Sequence, residues 1–136
     1  MRREDTVSDK EHWKADPDDH DYPAAASYLS LILGHAKVDV LVSELRAAPL
    51  GHWKAKDLLR ASGLSLLARD NPHVNSDLKK VSRGERLSPV LLVRGDLEKR
   101  APLEIADGYH RVCASYYLDE NADIPCRMAE NPSQQH

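Results

Sequence analysis

The sequence predicts one small α+β domain in which a mixed sheet with helices follows a helical hairpin. Three observations lead to this fold class. The chain has 136 residues, enough for one hydrophobic core and not for two. Its first half carries apolar residues at helical spacing. Its second half places a continuous apolar run of strand type between short helical segments, an order typical of α+β domains.

Residues 1–22 carry few apolar side chains among many charges. A segment such as KADPDDHDY cannot bury enough surface to offset the entropy lost on ordering. We therefore predict a flexible acidic arm, with Trp13 as the side chain that could dock it. The polar end of the chain, residues 129–136, is predicted to be a disordered tail.

A helical extension is expected over residues 23–63. Pro23 opens PAAASYLSLILGH, whose larger apolar side chains share a helical face, and Gly34 ends it. VDVLVSELRAA repeats the pattern, so the two helices should form a hairpin that packs on the remainder. Further on, HWKAK alternates as a short strand does, and DLLRASG predicts a helical turn ending at Gly63. A helix-turn-helix here is an alternative, which the acidic balance and the short second segment disfavour.

The core is expected over residues 64–128. Asn71 and Pro72 indicate a turn, followed by a helix over residues 76–83 with its cap at residue 75 or 76. PVLLVRG predicts a strand buried on both faces. LEIAD predicts the next strand, HRVCASYYLDE a helix and IPCRM a last strand.

Charge and composition narrow the function classes. The formal net charge of −3 does not favour a nucleic-acid surface, although it does not exclude one. No apolar run is long enough to span a membrane, and the charged N-terminus does not resemble a secretory signal. Cys113 and Cys126 are therefore expected to be reduced core thiols of a cytoplasmic protein.

One turn gathers unusual chemistry. Asp107, Gly108, Tyr109, His110 and Arg111 stand between a predicted strand and a predicted helix. Free N–H groups and the positive end of the dipole make a helix start an anion site. A guanidinium binds phosphate oxygens, and an imidazole exchanges protons near neutral pH. The turn therefore predicts a phosphate site, with a plain helix cap and a surface ion pair as the structural alternative.

The order of these elements resembles the ParB/sulfiredoxin superfamily. The matching features are the apolar run Pro89–Arg94, the turn Gly108–Arg111 and the closing pair Ile124–Pro125. The resemblance covers roughly residues 64–128 and implies a ParB/sulfiredoxin-like nucleotide-binding fold. Tyr109 stands where sulfiredoxins carry their catalytic cysteine, so repair of sulfinic acids is not implied.

The resemblance also implies a ligand and roles for residues. The ligand would be ATP, ADP or CTP with Mg²⁺, held by the turn Gly108–Arg111. Arg69, Asn71 and His73 would face the same pocket. Asp107 would orient the magnesium or a hydroxyl, and together with His110 it would form the catalytic pair. Arg111→Ala is expected to remove most of the stabilisation by a bound nucleotide or phosphate and to leave the unliganded protein folded.

Three functions stay open at this point. The first is a Mg²⁺-dependent phosphotransferase or nucleotidase. The second is a non-catalytic module that senses a nucleotide or contacts protein or DNA, and the third is a ParB-like nuclease. A homodimer is compatible with each of them.

Two charged clusters outside the turn have simpler explanations. The aspartates at positions 16, 18, 19 and 21 lack the pattern of a calcium loop and are expected on a solvated arm. The basic residues Lys79, Lys80, Arg83 and Arg86 are expected on a solvated helix face or at a phosphate-binding edge. No zinc-type spacing of histidines or cysteines is present in the sequence.

Overall fold

A computed structural model of the chain describes residues 12–130. Its described part contains five helices and four strands. In chain order they are α1 Asp21–Leu29, α2 His35–Ala47, β1 Gly51–Lys54, α3 Ala55–Ser62, α4 Pro72–Ser82, β2 Val90–Val93, β3 Glu104–Asp107, α5 Tyr109–Leu118 and β4 Asp123–Ala129. No helix among residues 12–130 is long and apolar enough to cross a membrane.

The four strands form one mixed sheet in the order β1-β4-β2-β3. β4 pairs antiparallel with β1 and parallel with β2, and β3 completes the sheet antiparallel to β2. The central strand β4 therefore aligns Cys126 with Gly51 on one side and with Val90 on the other. The α+β class expected from the sequence is confirmed.

Helices cover both faces of this sheet. Because successive strand side chains point to opposite faces, β2 divides its residues between two cores. Leu91 and Val93 pack with α1 and α2, whereas Val90 and Leu92 pack with α3, α4 and α5. All four residues of β2 are buried, which confirms the prediction that this strand is buried on both faces.

Helix α4 begins earlier than its predicted start at residue 76. The side chain of Asn71 accepts hydrogen bonds from the backbone N–H groups of His73 at 2.9 Å and Val74 at 3.3 Å. Pro72 occupies the first turn, where a missing N–H costs nothing. The cap predicted at residue 75 or 76 is therefore wrong, because an asparagine followed by proline is itself a complete helix start.

The described part of the predicted arm is attached to the domain. Trp13 is only 7% exposed and belongs to the core cluster beneath α3, α4 and α5. The backbone N–H of Lys14 donates to the carbonyl of Leu87, and the N–H of Leu87 donates to the carbonyl of His12, both at 2.8 Å. Residues 1–11 and 131–136, which include most of the predicted tail, lie outside the described residues.

The boundary expected between extension and core needs a correction. β1 is an edge strand of the sheet, and Leu58 and Leu59 of α3 lie in the same core cluster as β2. Residues 51–62 therefore belong to the core, and the helical hairpin proper consists of α1 and α2. Gly63, with φ of 72°, ends α3 as expected, and the next helix begins at Pro72.

Candidate functional site

A polar cavity of about 380 Å³ opens at the turn between β3 and α5. Four parts of the chain line it: the segment before α1, helix α4, the residues that lead into β2, and the turn itself. We call this cavity the polar cleft. Among the predicted site residues, Asp107, Gly108, His110 and Arg111 line it together, and His73 joins them from α4.

Gly108 shapes the floor of the polar cleft. It has φ of 113°, a conformation that L side chains rarely adopt. A Cβ atom at this position would lie 2.9 Å from the Cγ2 atom of Val90 and 2.8 Å from the Nη2 atom of Arg111. No side chain among residues 12–130 caps the start of α5, so the first N–H groups of the helix are left for a ligand or solvent.

The Arg111 side chain forms hydrogen bonds and ion pairs with other residues of the chain. Its Nη2 atom donates to Oδ2 of Asp107 at 2.8 Å, and its Nη1 atom donates to the hydroxyl of Ser88 at 2.7 Å. The Nη1 atom also lies 3.7 Å from Oδ1 of Asp21. The side chain is 15% exposed. Arg111 therefore holds the turn against the start of α1 through hydrogen bonds from both terminal nitrogens, whereas its buried Nε atom has no hydrogen-bond partner among residues 12–130.

Asp21 is buried and does not lie on a solvated arm as expected. It is 2% exposed, accepts a hydrogen bond from the Ser88 hydroxyl at 2.6 Å and accepts another from the backbone N–H of Asp18 at 3.1 Å. A buried carboxylate requires such partners, because removal from water is costly. The cluster Asp21, Ser88, Arg111 and Asp107 contains two carboxylates for one guanidinium, so it retains negative character.

The excess of carboxylates in this cluster affects the pKa of the Asp107 carboxyl group. Burial raises the pKa of its carboxyl group above 3.8, the charge of Arg111 opposes that rise, and the nearby Asp21 adds to it. One carboxylate oxygen of Asp107 accepts the bond from Arg111. Asp107 also lines the polar cleft, so its carboxyl group combines a raised pKa with access to a bound molecule.

Two histidines meet across the polar cleft. The rings of His73 on α4 and His110 on α5 have centroids 4.6 Å apart. Burial lowers the pKa of His110 below 6.5, and the proximity of His73 lowers it further. His110 is consequently neutral at pH 7 and able to accept a proton.

Asp77 stands one helical turn after His73 and also lines the polar cleft. Burial raises the pKa of its carboxyl group above 3.8, against the influence of Lys80, Arg111 and the two histidines. Within residues 12–130 this carboxylate makes no ion pair within 4.0 Å. Asp77 was not among the residues expected at the site, and its i, i+4 spacing from His73 is the signal that could have indicated it.

The basic cluster before β2 divides into two pairs. Lys80 and Arg86 line the polar cleft, whereas Lys79 and Arg83 do not. Neither Lys80 nor Arg86 forms an ion pair with any residue from 12 to 130, while Arg83 pairs with Glu85 at 2.8 Å. The phosphate-binding edge considered for this cluster therefore rests on Lys80 and Arg86.

Three predicted site residues lie elsewhere or point away. The Arg69 guanidinium lies 5.5 Å from the ring centroid of Tyr117, outside the polar cleft. Asn71 uses its side-chain oxygen to cap α4. The Tyr109 hydroxyl donates to the carbonyl of Ser65 at 2.5 Å, and Tyr109 does not line the cleft.

One group of potential metal ligands borders the polar cleft. Ligand atoms of Asp18, His20 and Asp21 lie within 4.8 Å of one another. Both carboxylates already have cationic neighbours, since Lys14 bonds Asp18 at 2.8 Å and Arg111 lies beside Asp21. These charges disfavour a further cation at this group.

Compared with known proteins, the chain matches no family model, no curated protein and no solved structure.

Proposed function

We propose that the polar cleft binds the polyphosphate of a nucleotide together with Mg²⁺. The supporting observation is the combination at one cavity of an uncapped helix start behind Gly108 and two cationic side chains, Lys80 and Arg86, that lack ion-pair partners among residues 12–130. Backbone N–H groups and the helix dipole attract phosphate oxygens, and lysine and arginine add charge-assisted bonds. The resemblance to the ParB/sulfiredoxin superfamily supports the same ligand class and remains a hypothesis.

The proposal changes the role of Arg111. Its ion pairs with Asp107 and Asp21 make it a positioning residue that fixes the turn, and Lys80 and Arg86 become the cations for the phosphates. A polyphosphate in the polar cleft would also meet the carboxylates of Asp77 and Asp107. Like charges repel unless a cation lies between them, so these two residues would hold the Mg²⁺.

The same residues can support transfer of a phosphoryl group. In that reaction the oxygen of water or of a substrate hydroxyl forms a bond to the terminal phosphorus, and the bridging P–O bond breaks. The bridging oxygen leaves with the shortened nucleotide, and the proton of the attacking oxygen passes to the neutral imidazole of His110, or to Asp107 where Asp77 alone would hold the Mg²⁺. The proposed activity is therefore that of a nucleotidase or phosphotransferase, and a nucleotide sensor would use the same cleft without turnover.

The direct test is nucleotide affinity in three charge variants. ATP, ADP, CTP and GTP are titrated with and without Mg²⁺, and binding is followed by calorimetry and thermal unfolding. At a hundredfold excess over Kd, bound nucleotide should stabilise the fold by about 2.7 kcal/mol. Lys80→Gln and Arg86→Gln should each weaken binding by about tenfold or more. Lys79→Gln, one position away and outside the polar cleft, is the matched control and should bind as the parent does.

Phosphate release separates catalysis from sensing. Asp107→Asn keeps an acceptor for Arg111 and removes the charge, so turnover should fall by about 10²-fold while nucleotide still binds. Equal affinity in the parent, Lys80→Gln and Arg86→Gln would refute the phosphate site. Binding without phosphate release in the parent would assign the sensor function.

A further inference from the structure

A second and larger cavity, of about 590 Å³, lies at the other end of β2. Its walls come from β1, α3, the end of β2, the β2–β3 connector and β4. Apolar side chains dominate the lining, among them Trp53, Leu58, Leu92, Leu103 and Met128. We call it the apolar cavity. Its volume lies within the range of about 300–1,000 Å³ that is typical of small-molecule sites.

The wall formed by the β2–β3 connector is held by its own hydrogen bonds. Asp96 and Ala101 exchange backbone hydrogen bonds of 2.8 and 3.0 Å, and Oδ1 of Asp96 accepts from the N–H of Glu98 at 3.1 Å. A Cβ atom on Gly95 would lie 2.6 Å from the carbonyl oxygen of Ala101, so the two sides of the connector are in close contact. The cavity is thus built before any ligand binds.

Two residues of the connector have uncommon features at the opening of the apolar cavity. Leu97 is 93% exposed although it borders the apolar cavity. Arg100 has φ of 59°, a left-handed conformation that is uncommon outside glycine. Backbone strain of this kind concentrates at ligand-binding sites. The connector therefore presents an apolar side chain and a strained arginine to the same opening.

The charges around the opening indicate the sign of the ligand. Arg94 pairs with Glu130 at 3.0 Å, and Asp57 pairs with Arg60 at 3.6 Å. Asp96 uses its carboxylate within the turn. Arg100, in contrast, forms no ion pair with any residue of the described chain 12–130. The uncommitted charge at the opening is consequently positive.

The chain's own ends do not suit this cavity. Residues 1–11 are mostly charged and contain Met1 and Val7 as their larger apolar residues, and NPSQQH at residues 131–136 has none. Filling an apolar cavity with these polar segments would bury unpaired polar groups. The occupant must bring its own apolar surface.

We propose that the apolar cavity binds a small amphipathic anion, with an acyl or aromatic body against Trp53, Leu92 and Met128 and a carboxylate held by Arg100. Leu97 covers the body at the opening. This site is independent of the polar cleft, because Ser88 and Arg94 at the two ends of β2 are separated by about 20 Å of extended chain.

The test uses decanoate as the probe and the methionine methyl groups as reporters. The sequence contains two methionines, Met1 and Met128, and the second lines the apolar cavity. In protein labelled with ¹³C at the methionine methyl groups, decanoate should shift the Met128 signal in a saturable manner and leave the Met1 signal unchanged. Butyrate should shift neither signal, because its short chain cannot cover the apolar wall.

Two variants separate the charge from the cavity. Arg100→Gln should weaken decanoate binding by about tenfold and leave decanol binding unchanged, while Arg83→Gln, an exposed arginine outside both cavities, should bind decanoate as the parent does. Ala61→Phe, an exposed helix position at the cavity wall, should abolish the shift for both probes. Thermal unfolding of Ala61→Phe and Arg100→Gln without ligand verifies that they are folded.

The proposal is overturned if decanoate fails to move the Met128 signal, or if Arg100→Gln binds decanoate as tightly as the parent. It is also overturned if the Met128 signal moves with protein concentration in the absence of a probe, since a second copy of the chain would then cover the cavity.

Discussion

The two cavities at the ends of β2 are built by opposite physical means. The polar cleft exists because buried charges need partners: Asp21, Ser88, Arg111 and Asp107 connect α1, β3 and α5 through hydrogen bonds and ion pairs. The apolar cavity is instead enclosed mainly by apolar side chains of the sheet, α3 and the β2–β3 connector, with Leu92 and Met128 among its walls. Mutations in the cleft should therefore act through unpaired charge, and mutations at the cavity through lost or gained packing.

The largest expected effect is that of Arg111→Ala. Removing the guanidinium leaves Asp21 buried without its cation, and breaking a buried pair in this way costs about 3–5 kcal/mol. Urea unfolding of the parent and the variant measures the difference. The sequence predicted that the unliganded variant stays folded, and the structure adds that it should be markedly less stable than the parent.

A matched arginine provides the control for that prediction. Arg83 forms an exposed ion pair with Glu85, so Arg83→Ala should cost less than about 1 kcal/mol. Equal losses in the two variants would mean that the buried charge network of the polar cleft does not stabilise the fold.

Gly108→Ala should have the next largest effect and lower the free energy of unfolding by about 2–4 kcal/mol. The alanine would have to adopt the positive φ of Gly108, and its methyl group would contact Val90 and Arg111 at distances shorter than real Cβ contacts allow. Gly63 offers the matched comparison, because it also has positive φ, but a methyl group added there would have no neighbouring atom within 4 Å. Gly63→Ala should cost about 1–2 kcal/mol, and chemical unfolding of both variants should reproduce the order.

Asp77→Asn should stabilise the unliganded protein at neutral pH. Burial raises the folded-state pKa of Asp77 above 3.8. The carboxyl group therefore contributes to the free energy of unfolding favourably below pH 3.8, and this contribution is lost as the pH rises through the folded-state pKa. The asparagine side chain does not ionise, so the variant does not lose this stability as the pH rises. Its advantage in the free energy of unfolding should be present at pH 7 and should shrink toward pH 3.8, and an advantage that is independent of pH would contradict the role of burial.

The smallest effect concerns His110. Its folded-state pKa lies below 6.5, so the neutral ring contributes stability above pH 6.5 that is lost as the pH falls through the folded pKa. Burial is the main cause of this shift, His73 and Arg111 add to it, and Asp77 opposes it. His110→Gln should flatten the fall in melting temperature below pH 6.5, and an unchanged pH profile in this variant would contradict the role of His110.

Local sequence patterns predicted much of the fold. The strand PVLLVRG, the strand LEIAD before Gly108 and the helix that follows are where the periodicity placed them. The start of α4 was missed by four residues, since Asn71 and Pro72 were interpreted as a turn although together they also open a helix. Trp13 was recognised as an anchor, but its pairing with Leu87 could not be predicted because the two residues are distant in sequence.

The part of the candidate site that is local in sequence was predicted, and the part that depends on packing was not. Asp107, Gly108, His110 and Arg111 are consecutive or nearly so, and the geometry of one strand–turn–helix unit brings them to one cavity. Arg69 and Asn71 were assigned to the same pocket by a resemblance, and the structure places the first on Tyr117 and uses the second as a cap. Asp77 was missed because only the packing of α4 against α5 turns it toward the turn.

The sequence by itself determined the α+β class, the doubly buried strand and the turn at Gly108, because hydrophobic periodicity and glycine conformation act over a few residues. Only the tertiary structure decided which charges are free to meet a ligand. Arg111 is paired because α1 brings Asp21 to it from a distant part of the chain, whereas Lys80 and Arg86 line the cleft without an ion pair within 4.0 Å among residues 12–130. Ion pairing depends on distances between side chains that are far apart in sequence, and those distances are fixed only when the sheet and its two helical layers pack together.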